Sequence, residues 1–299
     1  MTPVSHGKPC AGNPHARFEE GASAPESPRR NALLHNECDE KYLEVFLAPL
    51  RICADYLPAF GTSGNDGLSL SDFQKLYGGD EFYSWIGLDS PLVYAAHKAS
   101  GGLTSIYRQI GVGAERLLRE IVKDEFSLSQ EEVEWKYEYN KTKKKKAFHI
   151  LDARISLVNL KNDEQKERVK CWLANARKAA HGDARTRLRG AIFEIRQGYK
   201  SADSKRQNAD LRFGARSYQN GHIPVVAVLS SQVSETVIGR YRDAGMLVLT
   251  GVRSSDPTVS TFAFFKEIVG YDLESFFVRS SRRIKKVIHS LIEKLLSPE

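Results

Sequence analysis

In the last third of the chain, continuous apolar runs alternate with segments of helical periodicity. The runs at 190–195 (GAIFEI), 223–229 (IPVVAVL) and 246–251 (MLVLTG) are short, β-branched and bounded by Gly or Ser, which predicts buried strands. Between them, 204–218 (SKRQNADLRFGARSY) and 231–245 (SQVSETVIGRYRDAG) predict helices, and a further helix is expected over 258–269. Ser204 is the natural N-cap of the first. Its spacing turns Leu211, Ala215 and Tyr218 inward and leaves Lys205, Asn208, Arg212 and Arg216 as a polar stripe. Strand, helix, strand, helix, strand argues for α/β units on a largely parallel sheet.

Upstream, apolar residues recur at helical spacing over 41–60 (Tyr42, Val45, Phe46, Leu50), and a Gly-, Ser- and Asp-rich loop follows. Segments 73–85 and 90–99 are shorter helical or irregular pieces. Segment 101–126 looks like a loop leading into a helix with the stripe Leu117, Leu118, Ile121 and Val122. Residues 132–140 and 147–158 alternate like strands, joined by the lysine-rich turn NKTKKKK. A charged amphipathic helix is expected over 163–180, with Val169, Trp172, Leu173 and Ala176 inward. Trp85, Trp135 and Trp172 are expected as core anchors. The expected organisation is a flexible Pro-rich tail at 1–36, a helical region at 37–100, an α/β core at 101–275, and a basic helix at 276–299 on the outside.

Composition narrows the function classes. The chain has 299 residues, with Lys+Arg 44 against Asp+Glu 37 and a net charge of +7, which favours a polyanionic partner if the excess is local. No run of about 18 apolar residues occurs, so no membrane-spanning helix is expected. The first 35 residues lack the apolar middle of a signal peptide. Cys10, Cys38, Cys53 and Cys171 form no CxxC pair, consistent with reduced thiols and a cytoplasmic location.

The chemistry concentrates at 190–216. Glu194 interrupts an apolar strand, which is costly unless the carboxylate is paired or ligates a metal. Arg196, two residues on, shares its side of the strand. A carboxylate beside a cation suits Mg²⁺ and a phosphoryl group, and a second carboxylate is then needed. Asp152, at the head of a strand-like run, and Asp183, eleven residues before Glu194, both qualify. Beyond Tyr199, Lys200, Lys205, Arg206, Arg212 and Arg216 are cationic, and Gln207 and Asn208 can bond base edges. Lys143 and Lys144, with the rest of the lysine turn, suit phosphates. Gly111-Val112-Gly113 lacks the preceding strand of a dinucleotide fingerprint, and no P-loop is present.

These residues resemble the PD-(D/E)XK nuclease core of type II restriction endonucleases, and within that group the chain is similar to ApaLI-like enzymes. The resemblance covers about 101–272 and rests on Asp152 or Asp183, on Glu194-Ile195-Arg196, and on YKSADSKRQNAD leading into a helix. Glu115 matches a glutamate often carried by a helix ahead of that core. The sequence departs from the pattern in having Leu151 before Asp152 instead of proline, and Arg196 instead of lysine. Arginine delivers charge but does not exchange a proton, so Lys200 is an alternative for the lysine role. Asp203-Ser204-Lys205 offers a rival register. The resemblance implies an α/β fold with a PD-(D/E)XK-type mixed sheet flanked by helices. It further implies Mg²⁺-dependent cleavage of double-stranded DNA by a homodimer, and a cognate DNA methyltransferase as functional partner. The alternatives are a catalytically degraded DNA-binding protein on the same fold, and a repair or RNA nuclease.

Overall fold

The computed structural model describes residues 28–61, 67–142, 145–180, 187–198 and 204–297, with side chains left aside at 28–36, 139–142, 145–147, 149 and 204–206. Contacts divide the chain into the units Met1–Cys38 and Asp39–Glu299. The sheet, its covering helices and the candidate site all lie in the second.

The elements run α1 (Pro28–Leu47), a 3-10 segment (Ala48–Asp55), α2 (Leu70–Gly78), α3 (Glu81–Trp85), α4 (Pro91–Glu125), α5 (Gln130–Val133), β1 (Trp135–Thr142), β2 (Lys145–Leu151) and β3 (Ala153–Ser156). There follow α6 (Asp163–Ala179), β4 (Gly190–Arg196), α7 (Ser204–Gln219), β5 (His222–Val228), α8 (Glu235–Asp243), β6 (Leu247–Leu249), α9 (Thr261–Ala263) with a π-helical continuation (Phe264–Val269), and α10 (Leu273–Leu296). The main sheet has the order β3-β4-β5-β6, with β3 antiparallel to β4 and the other pairs parallel. The α/β expectation therefore holds as a mixed four-stranded sheet flanked by helices. β1 and β2 form a separate antiparallel hairpin.

Strand periodicity sorts β4 between two cores. Ala191, Phe193 and Ile195 face α4 and α6, where Leu117, Leu118, Leu173 and Trp172 meet them. Trp172 lies 6.4 Å from the Phe193 ring and 4.7 Å from Phe264, and its Nε1 donates to the Pro257 carbonyl at 2.9 Å. Ile192 faces the other way, with Val226, Val228, Phe213 of α7, and Val237 and Tyr241 of α8. The predicted inward set of α6 (Val169, Trp172, Leu173, Ala176) is the buried set observed. Asn162 caps that helix, and its acidic first turn and basic last turn both complement the helix dipole.

Several expectations need correction. The backbone is helical from Pro28, so the proposed tail boundary at 36 falls inside α1; residues 1–27 lie outside the described residues. The boundaries at 100/101 and 275/276 cut α4 and α10. The expected loop at 101–113 is the interior of α4, where glycines permit close approach. A Cβ at Gly113 would collide with the Phe46 carbonyl oxygen, and one at Gly102 with the Leu295 side chain. Backbone cannot yield as a side chain can, so Gly113→Ala should destabilise the protein by about 1–3 kcal/mol, read as a lower midpoint in urea unfolding. Segment 73–85 is two helices, α2 and α3, and the expected helix at 258 starts at Thr261 behind a Ser260 cap. Trp85 is 77% exposed and anchors no core, while Trp135 is half-buried against the α7–α8 side.

The phase of α7 also differs. Its buried residues are Gln207, Asp210, Phe213, Gly214 and Ser217, while Leu211 and Tyr218 are half-buried and Ala215 is exposed. Phe213, the largest apolar side chain, sets the phase by filling the space over Ile192 and Val226, and the polar Gln207, Asp210 and Ser217 are buried with it. The polar stripe at Asn208, Arg212 and Arg216 is exposed as expected. The C-terminal helix is partly paired and partly packed, with Arg282, Lys285 and Lys286 exposed. Arg279 pairs with Asp39 at 2.7 Å and Arg283 with Glu40, while Phe276 lies in the main core. Among the described residues no helix is long and apolar enough to cross a membrane, and Cys38, Cys53 and Cys171 are thiols.

Candidate functional site

Asp152 is the single residue separating β2 from β3. Its N–H still bonds the Phe193 carbonyl (3.2 Å), so the chain bends there without losing its hold on the sheet: β3 stays paired to β4, and β2 leaves to meet β1. The carboxylate is thereby fixed beside the neighbouring strand, where its Oδ2 accepts from the N–H of Ile195 at 2.7 Å. Arg119 of α4 donates to the Asp152 carbonyl, and its Nη2 lies 3.7 Å from Oδ1.

Glu194 comes from the adjoining strand and points to the α7–α8 side. It is 6% exposed and Asp152 is 7% exposed. Arg196 follows it on the same side, as the two-residue spacing predicts: Nη2 lies 2.6 Å from Glu194 Oε1 and 3.0 Å from Asp210 Oδ1 of α7. On the other flank, Glu115 of α4 lies close enough for its charge to act on both Asp152 and Glu194. Glu115 lines a cleft of about 280 Å³ with Tyr107, Arg108, Arg196, Gln197 and Gly198, between α4 and the end of β4. Asp152 and Glu194 line neither this cleft nor a larger, mainly apolar cavity of about 510 Å³ that shares Gln197; Ile195 and Arg196, next to Glu194 in β4, line the cleft.

The electrostatics follow from this crowding. Burial, with the Glu115 charge, pushes the Asp152 carboxyl up to about 7, against the Ile195 N–H bond and the Arg196 and Arg119 charges. Burial pushes Glu194 up to about 8; Arg196 opposes the rise, and the Asp152, Asp210 and Glu115 charges add to it. Two buried carboxyls that resist ionisation together are what a hard divalent cation would relieve. Among the described residues no group of three or more His, Cys, Asp or Glu side chains stands ready to hold a metal. Mg²⁺ commonly takes only one or two protein carboxylates and completes its shell with water and phosphate oxygens, so the Asp152–Glu194 donor set fits it.

The structure thus brings together Asp152, Glu194, Arg196 and Glu115. Asp183, the other candidate for the first carboxylate, and Lys200, the alternative to Arg196, lie outside the described residues, as do Asp203, Lys143 and Lys144. For Lys205 and Arg206 only the helical backbone is described. Arg212 is exposed on α7.

Gln207 is corrected as a base reader. It is 4% exposed and its Oε1 accepts from Arg240 Nη1 at 2.6 Å, so its amide is committed inside the protein. Asn208 is exposed, but its Oδ1 also accepts from Arg240, at 2.9 Å. Asp210, Tyr241, Arg119 and Arg240 were missed as contributors to the site. For Asp210 a signal existed: a stripe anchored on Phe213 puts it three residues earlier on the same face. The others approach from separate elements and left no local trace.

Compared with protein-family models, curated proteins and solved structures, the chain matches none of them.

Proposed function

We propose that the protein is a Mg²⁺-dependent endonuclease of double-stranded DNA, a site-specific enzyme of the type II restriction class with a PD-(D/E)XK-type core. The observation that carries this reading is the pair of buried carboxylates Asp152 and Glu194. Asp152 is held at the β2–β3 bend by the Ile195 N–H, and Glu194 lies on the adjoining β4, whose Arg196 lines a cleft with Glu115. Arg196 takes the position of the lysine in that motif and contributes fixed positive charge near the phosphoryl oxygens.

Asp152 and Glu194 would hold the ion, with Glu115 adding negative charge. The bound ion supplies Lewis-acid polarisation of the phosphodiester and acidification of water. Lys200 is the nearby cation in the sequence able to exchange a proton, and it retains that role in the proposal. Arg212, with Lys143, Lys144 and Lys205, would supply positive charge for phosphates, and Arg206 with Asn208 the candidate base contacts. Cutting both strands at one site favours a homodimer with two-fold symmetry. A cognate DNA methyltransferase is the partner such an activity requires in its host.

One observation favours a second reading. Arg196 already contacts Glu194 at 2.6 Å, as a counter-ion that would let the same fold bind DNA without cutting it. Incubation with plasmid and phage DNA separates the two. Discrete fragments that appear with Mg²⁺ and vanish with EDTA support the endonuclease, whereas retarded but intact DNA supports the binder. A smear, or cutting of RNA alone, points to a repair or RNA nuclease.

A further inference from the structure

A chain of short contacts leads from Glu194 away from the cleft. Arg196 Nη2 bridges Glu194 Oε1 at 2.6 Å and Asp210 Oδ1 at 3.0 Å, and the Tyr241 hydroxyl donates to Asp210 Oδ2 at 2.6 Å. Asp210 and Tyr241 are each 1% exposed, and they reach β4 from two different helices, α7 and α8. A buried aspartate loses its hydration, a cost that its contacts with Arg196 and Tyr241 offset only in part. A hydrophobic residue would pack the same space more cheaply, so the placement needs a reason other than stability.

We propose that Asp210, held by Tyr241, is a positioning residue that serves as counter-charge to Arg196 and so keeps Glu194 available to a divalent cation. The inference rests on the cation-dependent reading above and deepens it. Arg196 Nη2 is shared between the Glu194 and Asp210 carboxylates, so part of its charge is directed to Asp210. Without the Asp210 charge, more of the Arg196 charge is left to Glu194 and opposes a cation there. Tyr241 holds the second oxygen of Asp210, so the first stays turned toward Arg196. Arginine suits this arrangement because one guanidinium can bridge two carboxylates in a fixed geometry, where lysine is a point charge.

The test is Mn²⁺ binding to the full chain without DNA, followed by the electron paramagnetic resonance of free Mn²⁺, alongside thermal melts. Asp210→Asn keeps the shape and removes the charge, and it should weaken Mn²⁺ binding about 10- to 100-fold, the usual scale for groups that support a ligand from behind. Tyr241→Phe removes one hydrogen bond and should weaken binding by a smaller factor in the same direction. It also serves as the deciding variant if Asp210→Asn does not fold. A merely structural role would lower the melting temperature and leave Mn²⁺ affinity unchanged. Unchanged affinity in the folded variants, with wild-type binding intact, overturns the positioning role and leaves the cation-dependent reading standing. Absence of Mn²⁺ binding by the wild type overturns that reading and the inference with it.

Discussion

Glu194→Gln should abolish the proposed Mg²⁺-dependent DNA cleavage and, at alkaline pH, make the protein more stable than the wild type. The loss of activity is expected to reach at least about 10³-fold, the scale seen when a group acting directly on the transition state is removed. The gain in stability follows from the high proton affinity of the buried carboxyl. Glu194 is pushed up to about 8 from an ordinary 4.5, so the folded state holds the proton more tightly than the unfolded state does. Stability present below pH 4 is therefore lost as the pH rises toward 8, by an amount of the order of a few kcal/mol. Asp152, pushed up to about 7, loses stability in the same direction over a slightly lower range. Glutamine mimics the protonated form, so wild type and variant should melt together near pH 4, separate progressively as the pH rises past about 4.5, and reach their full difference above about pH 8, with the variant higher by several degrees at pH 9. A variant less stable than wild type at pH 9 would mean that Glu194 and Arg196 form a structural ion pair, and the strained-site account would fail. DNA binding without metal, measured by gel retardation, should change little.

Divalent cation should reverse that pH trend. An ion at about 100 times its dissociation constant stabilises a folded protein by about 2.7 kcal/mol, which for a chain of this size raises the melting temperature by roughly 4–5 °C. Mg²⁺ competes with protons for Asp152 and Glu194, so its apparent affinity should rise as the pH climbs through about 7 and about 8. Melts with and without Mg²⁺ should nearly coincide at pH 5 and diverge most at pH 9, with EDTA restoring the metal-free curve. Asp152→Asn should lose most of this Mg²⁺ effect. An equal Mg²⁺ shift in wild type and Asp152→Asn would move the ion to some other part of the chain.

The local code carried much of the architecture because each element answers to its own neighbours in sequence. Runs such as IPVVAVL have nowhere to go but a sheet interior, and β5 and β6 are found where the apolar runs put them. The α6 stripe was legible because four large or small apolar residues at helical spacing leave one choice of face. The lone glutamate in GAIFEI marked the candidate site, since burying a carboxylate has a cost that periodicity alone does not explain. The choice between Asp152 and Asp183 could not be made that way. The structure places Asp152 by the strand bend that sets it against Ile195, a contact across 43 positions of sequence, while Asp183 lies outside the described residues.

By itself the sequence determined the α/β alternation, the faces of α6 and β4, and the pairing of Glu194 with Arg196 on one side of a strand. These follow from periods of 3.6 and 2 residues and from the cost of burying polar groups, which act over a few neighbours. Only the tertiary structure decided the long α4, whose mid-helix glycines accommodate the approach of Phe46 and Leu295. It alone turned α7 so that Asp210 and Gln207 face inward, and it brought Arg119, Arg240 and Tyr241 to the site. Such choices depend on which partner arrives from a distant part of the chain. A glycine reads as a loop, and an aspartate as a solvated face, until the atoms that press against them are known.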